Sequence, residues 1–353
     1  MPNKQRALDV IHRRGGGNGV FWTGHPNAAT IPIYAKEWGV APTAQAIHDY
    51  LQDDYCWVMA NSGYRHPEGH REWDAGWGIQ RGRNLSAEGC FANAECAADI
   101  EKYPWPETGY YDFSGVYAEI DRHPDRVVFS GLWCPFFHIL SDFFGMENYF
   151  IKMYDSPALV ECVTERVVDC MVEANDKFFA GAGERAEVMF FGNDFGTQRD
   201  LFLSPENFRR FILPSLKKLI AVGKRHNRKI MLHSCGSICR VIPDLIDAGV
   251  DMLHPIQAQA AGMSAKELAQ YKDDLTFCGG IDAQSFLATA TPRQIEDEVE
   301  RVYDILGPNI IISPSHEEIL PNVPAANMLA MSRAAHRSSA SCVGSPPSSG
   351  MPV

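Results

Sequence analysis

Val127-Val128-Phe129-Ser130, Val188-Met189-Phe190-Phe191, Lys229-Ile230-Met231-Leu232, Val250-Asp251-Met252-Leu253, Leu275-Thr276-Phe277 and Asn309-Ile310-Ile311-Ile312 decide the fold. Each run is short and apolar, and each is bounded by Gly, Pro, Asn or Asp. Apolar runs of this length suit strands buried on both faces, which means a parallel sheet covered by helices. Between them lie amphipathic stretches such as 205–224 and 292–306, opened by the helix-start pairs Ser204-Pro205 and Thr291-Pro292. Strand alternating with helix implies right-handed parallel crossovers. With Val20-Phe21-Trp22 as the first strand the chain offers seven such runs and one strand still to be placed. That pattern predicts a TIM-type (β/α)8 barrel rather than an open sheet. No Gly-x-Gly-x-x-Gly follows any run, which disfavours a doubly wound nucleotide-binding sheet.

Outward from this region the reading is coarser. Residues 4–12 predict a short leading helix ended by glycines. The segment 28–120 is mixed, and Trp73-Asp74-Ala75-Gly76-Trp77-Gly78 suggests a hairpin beside the barrel. Residues 1–337 are expected to form one domain. Residues 338–353, rich in Ser, Pro and Gly, read as a disordered tail.

Composition narrows the function. The 353 residues are 45% hydrophobic and carry a formal net charge of -12. An acidic chain is a poor partner for nucleic acid or for anionic membrane. Neither an N-terminal secretory pattern nor an apolar run long enough to span a bilayer is visible, so a cytoplasmic protein is expected. The ten cysteines show no repeating spacing and read mainly as small buried hydrophobes.

In a barrel the active site lies where the strands end at their carboxyl sides. Leu232-His233-Ser234-Cys235-Gly236 is the sharpest such segment. His233 and Cys235 are two apart, which along a strand puts both on one face. Imidazole and thiolate are the preferred ligands of zinc. A third ligand is expected from His316, just past the last strand, with Cys239 and Cys278 as reserves. Alone, a His-x-Cys pair is as readily packing plus a hydrogen bond. Asp194, in Asn193-Asp194-Phe195-Gly196-Thr197-Gln198, is the expected catalytic acid or substrate anchor. Asn193, Gln198, Gln257 and Asp282 follow other strands as candidate substrate contacts, Asp282 being equally suited to capping a helix. Trp22, His25 and Asn27 could line the pocket from the first strand, though Trp22 also suits the core.

His233-Ser234-Cys235-Gly236-Ser237, Leu245-Ile246-Asp247-Ala248-Gly249-Val250-Asp251, Gly279-Gly280-Ile281-Asp282 and Pro321-Asn322-Val323-Pro324-Ala325-Ala326-Asn327 resemble the uroporphyrinogen decarboxylase-like superfamily. The likeness is strongest over 140–335. It implies a barrel carrying one of two chemistries, cofactor-free decarboxylation of a tetrapyrrole or cobamide-dependent methyl transfer assisted by zinc. In the thiol-activating methyltransferases the resemblance implies His-x-Cys plus a distant Cys; here His316 stands near that last position. The decarboxylases carry an Arg-rich segment near the N-terminus for the substrate's carboxylates. This chain has Trp22-Thr23-Gly24-His25-Pro26-Asn27 there, without Arg. The expectation is therefore a zinc-dependent methyltransferase whose corrinoid sits on a partner protein, since no Asp-x-His-x-x-Gly segment is present. Decarboxylation ranks second, and a non-catalytic corrinoid- or ligand-binding barrel third.

Overall fold

A computed structural model describes residues 4–14, 19–73, 88–101 and 103–337. Most of the hairpin expected at 73–78 and all of the tail from 338 lie outside the described residues. The eight barrel strands are β1 (Val20–Phe21), β2 (Tyr55–Met59), β3 (Val127–Gly131), β4 (Val188–Gly192), β5 (Lys229–His233), β6 (Met252–Ile256), β7 (Thr276–Ile281) and β8 (Ile310–Pro314). All neighbours pair in parallel, β2 through β8 in chain order and β8 back onto β1. The strand that the sequence left unplaced is Tyr55-Cys56-Trp57-Val58-Met59.

The seam between β1 and β2 is closed largely by carboxylates. Asp54 donates its amide to the Phe21 carbonyl at 3.0 Å, and its Oδ2 accepts the Phe21 amide at 3.0 Å. Asp53 accepts the Thr23 amide at 3.1 Å and the Thr23 hydroxyl at 2.6 Å. Two buried acids thus take the part that strand carbonyls would otherwise play. They are compensated: Arg6 reaches Asp54 at 2.9 Å, His336 reaches it at 3.0 Å, and His48 lies 2.8 Å from Asp53.

Alternate side chains point inward. Val20, Trp22, Tyr55, Phe129, Phe190, Met231, Met252, Cys278 and Ile311 fill the interior. The helix Lys4–Ile11 plugs the amino-terminal end with Ala7, Val10 and Ile11. The outward set, including Val128, Phe191, Leu232, Leu253, Phe277 and Ile312, packs under the surrounding helices. A packed interior leaves chemistry only at the mouths.

The helices follow their sequence signals with one exception. Pro292–Leu306 is capped by Thr291, whose hydroxyl accepts the Gln294 amide, as Thr291-Pro292 promised. The stretch expected to be one helix over 205–224 is instead Pro205–Asn207, a π-turn Phe208–Ile212, and the helix Leu213–Arg225. Pro214 has no amide to return to the preceding turn, so the ladder widens there. No helix among the described residues is long and apolar enough to cross a membrane.

Candidate metal and substrate site

Two strand boundaries shift in a way that shapes the site. The strand expected over Val250-Asp251-Met252-Leu253 begins at Met252 and runs through His254 to Ile256, while the one expected over Leu275-Thr276-Phe277 continues to Ile281. Proline and paired glycines read as strand ends; here the chain stays extended through them. As a result β5 and β6 carry the same tripeptide in register: Met231-Leu232-His233 beside Met252-Leu253-His254. Both methionines point into the barrel, so both histidines crown it from the same face.

His233 is 2% exposed. Its Nε2 lies 3.2 Å from Asp194 Oδ1 and 3.5 Å from Cys235 Sγ. On the other side of the ring, Nδ1 lies 3.0 Å from His254 Nδ1 and 4.0 Å from Glu317 Oε2. Asp194 also accepts the Cys235 amide at 2.9 Å. The ligand atoms of Asp194, His233 and Cys235 all lie within 4.8 Å of one another, as do those of Cys235, His316 and Glu317. Cys235 is shared by the two groups.

The loops that carry these groups are sewn together by backbone. Gly236, at φ 82°, lies so close to the Gly196 carbonyl that a Cβ would collide with it. The Ser237 amide donates to the Thr197 carbonyl at 2.7 Å, and the Phe195 amide donates to Ser234 Oγ at 3.0 Å. Gln257 accepts the Gly236 amide at 2.9 Å and is held by Gln198 at 3.1 Å. Above them stands an aromatic wall. Trp133 packs 5.0 Å from the His233 ring and 5.2 Å from Trp57, and His25 lies 4.8 Å from Trp57.

Electrostatics favour a cation here. Burial pulls the His233 pKa down, but Glu317, Asp194 and Cys235 outweigh it and raise it well above the ordinary value. For Asp194, burial acts upward and is overcome by His233, the Cys235 amide and His138, which hold the carboxyl well below its usual range. Burial pushes the Cys235 thiol up despite His233. One oxygen, Glu317 Oε2, is buried with no hydrogen-bond partner.

The other expected residues divide. His316 does face Cys235, but its Nδ1 accepts the Glu318 amide at 3.1 Å. A neutral ring so held keeps its proton on Nε2, and ligation there would require that bond to be given up. Asn193 is spent on the Phe137 amide and the Cys134 carbonyl, at 2.8 and 2.9 Å. Asp282 starts the helix Phe286–Thr289, accepting from Gln284, Ser285 and Phe286. Asn27 bonds Glu318 at 2.7 Å and ties the first loop to the last. Gln198 and Gln257 brace the β5 loop, while Trp22, 1% exposed, supports the floor beneath His254. Neither reserve cysteine joins the metal groupings. Cys278 points into the barrel core, and Cys239 rests against Gly262 and Ser237. Sequence reasoning passed over Glu317, His254, Trp57, Trp133 and His138. The repeated Met-Leu-His was a legible signal for His254; Glu317 had only its place beside His316.

No curated protein sequence matches this chain. Among solved structures, a methyltransferase from Methanosarcina mazei is similar, with a TM-score of 0.64 and 17% identity over 94% of this chain and 97% of that one. At that identity the likeness speaks to the fold. The family profile described as uroporphyrinogen decarboxylase (URO-D) matches residues 117–338, more than half of the chain and the part that holds β3 through β8 with their loops. With the barrel, the plugged floor and the strand-end site in place, that match makes this chain a member of the uroporphyrinogen decarboxylase family.

Proposed function

We propose that this protein is a zinc-dependent methyltransferase moving a methyl group between a small methylated substrate (a methoxy, methylamine or thiol compound) and a corrinoid held by a partner protein. The observation that carries this reading is the convergence of Asp194, His233 and Cys235. Zinc bonds of about 2.0 Å to N or O and 2.3 Å to S, at the tetrahedral angle, give edges of roughly 3.3 Å for N···O and 3.5 Å for N···S. The distances from His233 Nε2 are 3.2 Å to Asp194 and 3.5 Å to Cys235. The donor set fits zinc chemically, and the buried Glu317 oxygen on the facing loop, which has no hydrogen-bond partner, suits a cation beside it.

In this reading His233, Cys235 and Asp194 hold the ion, which moves Asp194 from proton donor to ligand. When bound, zinc supplies Lewis-acid polarisation of the heteroatom that bears or receives the methyl group. The chain's own groups do the rest. Trp57 and Trp133 exclude water over His233 and orient a small apolar methyl donor. His316, with its proton on Nε2, donates a hydrogen bond to the heteroatom the methyl group leaves, and solvent supplies the proton that heteroatom takes up. Glu317 balances the positive charge.

The same groups disfavour a poly-carboxylate substrate, which would meet Asp194 and Glu317 as like charges. The likeness to a protein named as a methyltransferase supports the same side. The test is loss of cob(I)alamin absorbance when zinc-loaded protein is mixed with methoxyarenes, methylamines or methyl thioethers. We expect one class to react, with the rate falling at least about 10–100-fold in Cys235→Ala, as when a metal site is disturbed. Equal rates in both proteins would contradict the proposal.

A further inference from the structure

We infer that His254 is a positioning residue that assigns the nitrogens of His233, through a direct imidazole–imidazole hydrogen bond. The inference rests on the reading of His233 as a ligand, but its geometry stands apart from it. The two Nδ1 atoms are 3.0 Å apart between in-register positions of β5 and β6. One must donate and the other accept. His233 Nε2 faces Asp194 and Cys235, so once Nε2 holds a metal the ring's one proton sits on Nδ1. His254 Nδ1 is then the acceptor, and its own proton sits on Nε2.

The surroundings of His254 agree. It is fully buried, and its Nε2 has no hydrogen-bond partner. Its ring packs 5.4 Å from Phe190 at 83° and 5.2 Å from Trp22 at 53°. An N–H packed among aromatic rings can be weakly satisfied by them, whereas a bare nitrogen lone pair gains nothing there. Metal-binding histidines usually give their second N–H to a carboxylate or a carbonyl. A neutral imidazole in that place fixes ring orientation without adding negative charge to the ligand.

The test uses full-length protein labelled with 15N-histidine, with His254 identified by the resonance lost in His254→Asn. We expect the neutral Nε2–H tautomer at His254 in zinc-loaded protein. Zinc affinity by chelator competition should fall about 10–100-fold in His254→Leu. His254→Asn, whose side-chain oxygen restores an acceptor, should stay within a few-fold of wild type. A His254 proton on Nδ1, or wild-type zinc affinity in a folded His254→Leu protein, overturns the inference. If wild type binds no zinc, the metal reading falls and the inference with it; if it binds zinc and His254 carries its proton on Nδ1, the inference alone falls.

Discussion

His233, Cys235 and Asp194 owe their positions to contacts that leave no room for a side chain. Gly236 is the clearest case, since its positive φ and its approach to Gly196 both exclude a Cβ. Gly236→Ala is expected to cost at least about 1–3 kcal/mol, the scale of a strained backbone position. It should also weaken zinc binding, because the clash pushes apart the loops bearing Asp194 and Cys235. Urea unfolding and chelator competition on one variant would read both. Asp282 gives the contrasting case. Its carboxylate is used up on the turn that opens Phe286–Thr289, so Asp282→Ala should lose about 0.5–2 kcal/mol and leave zinc affinity unchanged. A large drop in affinity would place Asp282 in the site after all. The sequence named His233, Cys235 and Asp194 because strand-end position and ligand type are local properties. It could not show that Asn193 and Asn27 spend their amides on other loops, since partners 56 or 291 residues away are not written locally.

Elements were legible wherever one period ruled the run. All six runs overlap strands from β3 to β8, three of them lying wholly within, and Pro292–Leu306 was bounded correctly by its cap and its proline. The failures came where a residue's usual signal yielded to tertiary pairing. Pro255 and Gly279 lie inside strands, and β2 was hidden in a segment whose periodicity is broken by turns. Barrel closure was the least readable feature, because it depends on Asp53 and Asp54 acting as backbone substitutes. Asp54 has its pKa lowered: burial acts upward, but His336 and Arg6 prevail. A lowered folded pKa stabilises above the unfolded value near 3.8, and that share is lost as pH falls through the folded value. Asp54→Asn, which leaves Arg6 and His336 without their carboxylate, should destabilise by about 3–5 kcal/mol at neutral pH. Its deficit relative to wild type should shrink as pH drops below 3.8. Chemical unfolding of both proteins across that window would show it, and a deficit independent of pH would argue that the charge is not what closes the seam.

At the scale of the molecule, the barrel is a filled cylinder with a floor and a working mouth. The floor is the helix Lys4–Ile11, whose Ile11 is 1% exposed against the interior layer. Ile11→Ala should cost about 2–5 kcal/mol, in the range of buried large-to-small changes, with no effect on zinc affinity at the far end. The mouth gathers its ligands from β4 and β5 and their charge balance from the loop after β8, which is why only the closed fold makes the site. That central claim is tested most directly by the zinc content of the purified protein beside His233→Ala and Cys235→Ala. The account expects about one zinc per chain in wild type, as in a single mononuclear site, and loss of that metal in both folded variants. Zinc-free wild type after preparation without chelator, or full occupancy in either variant, would contradict it.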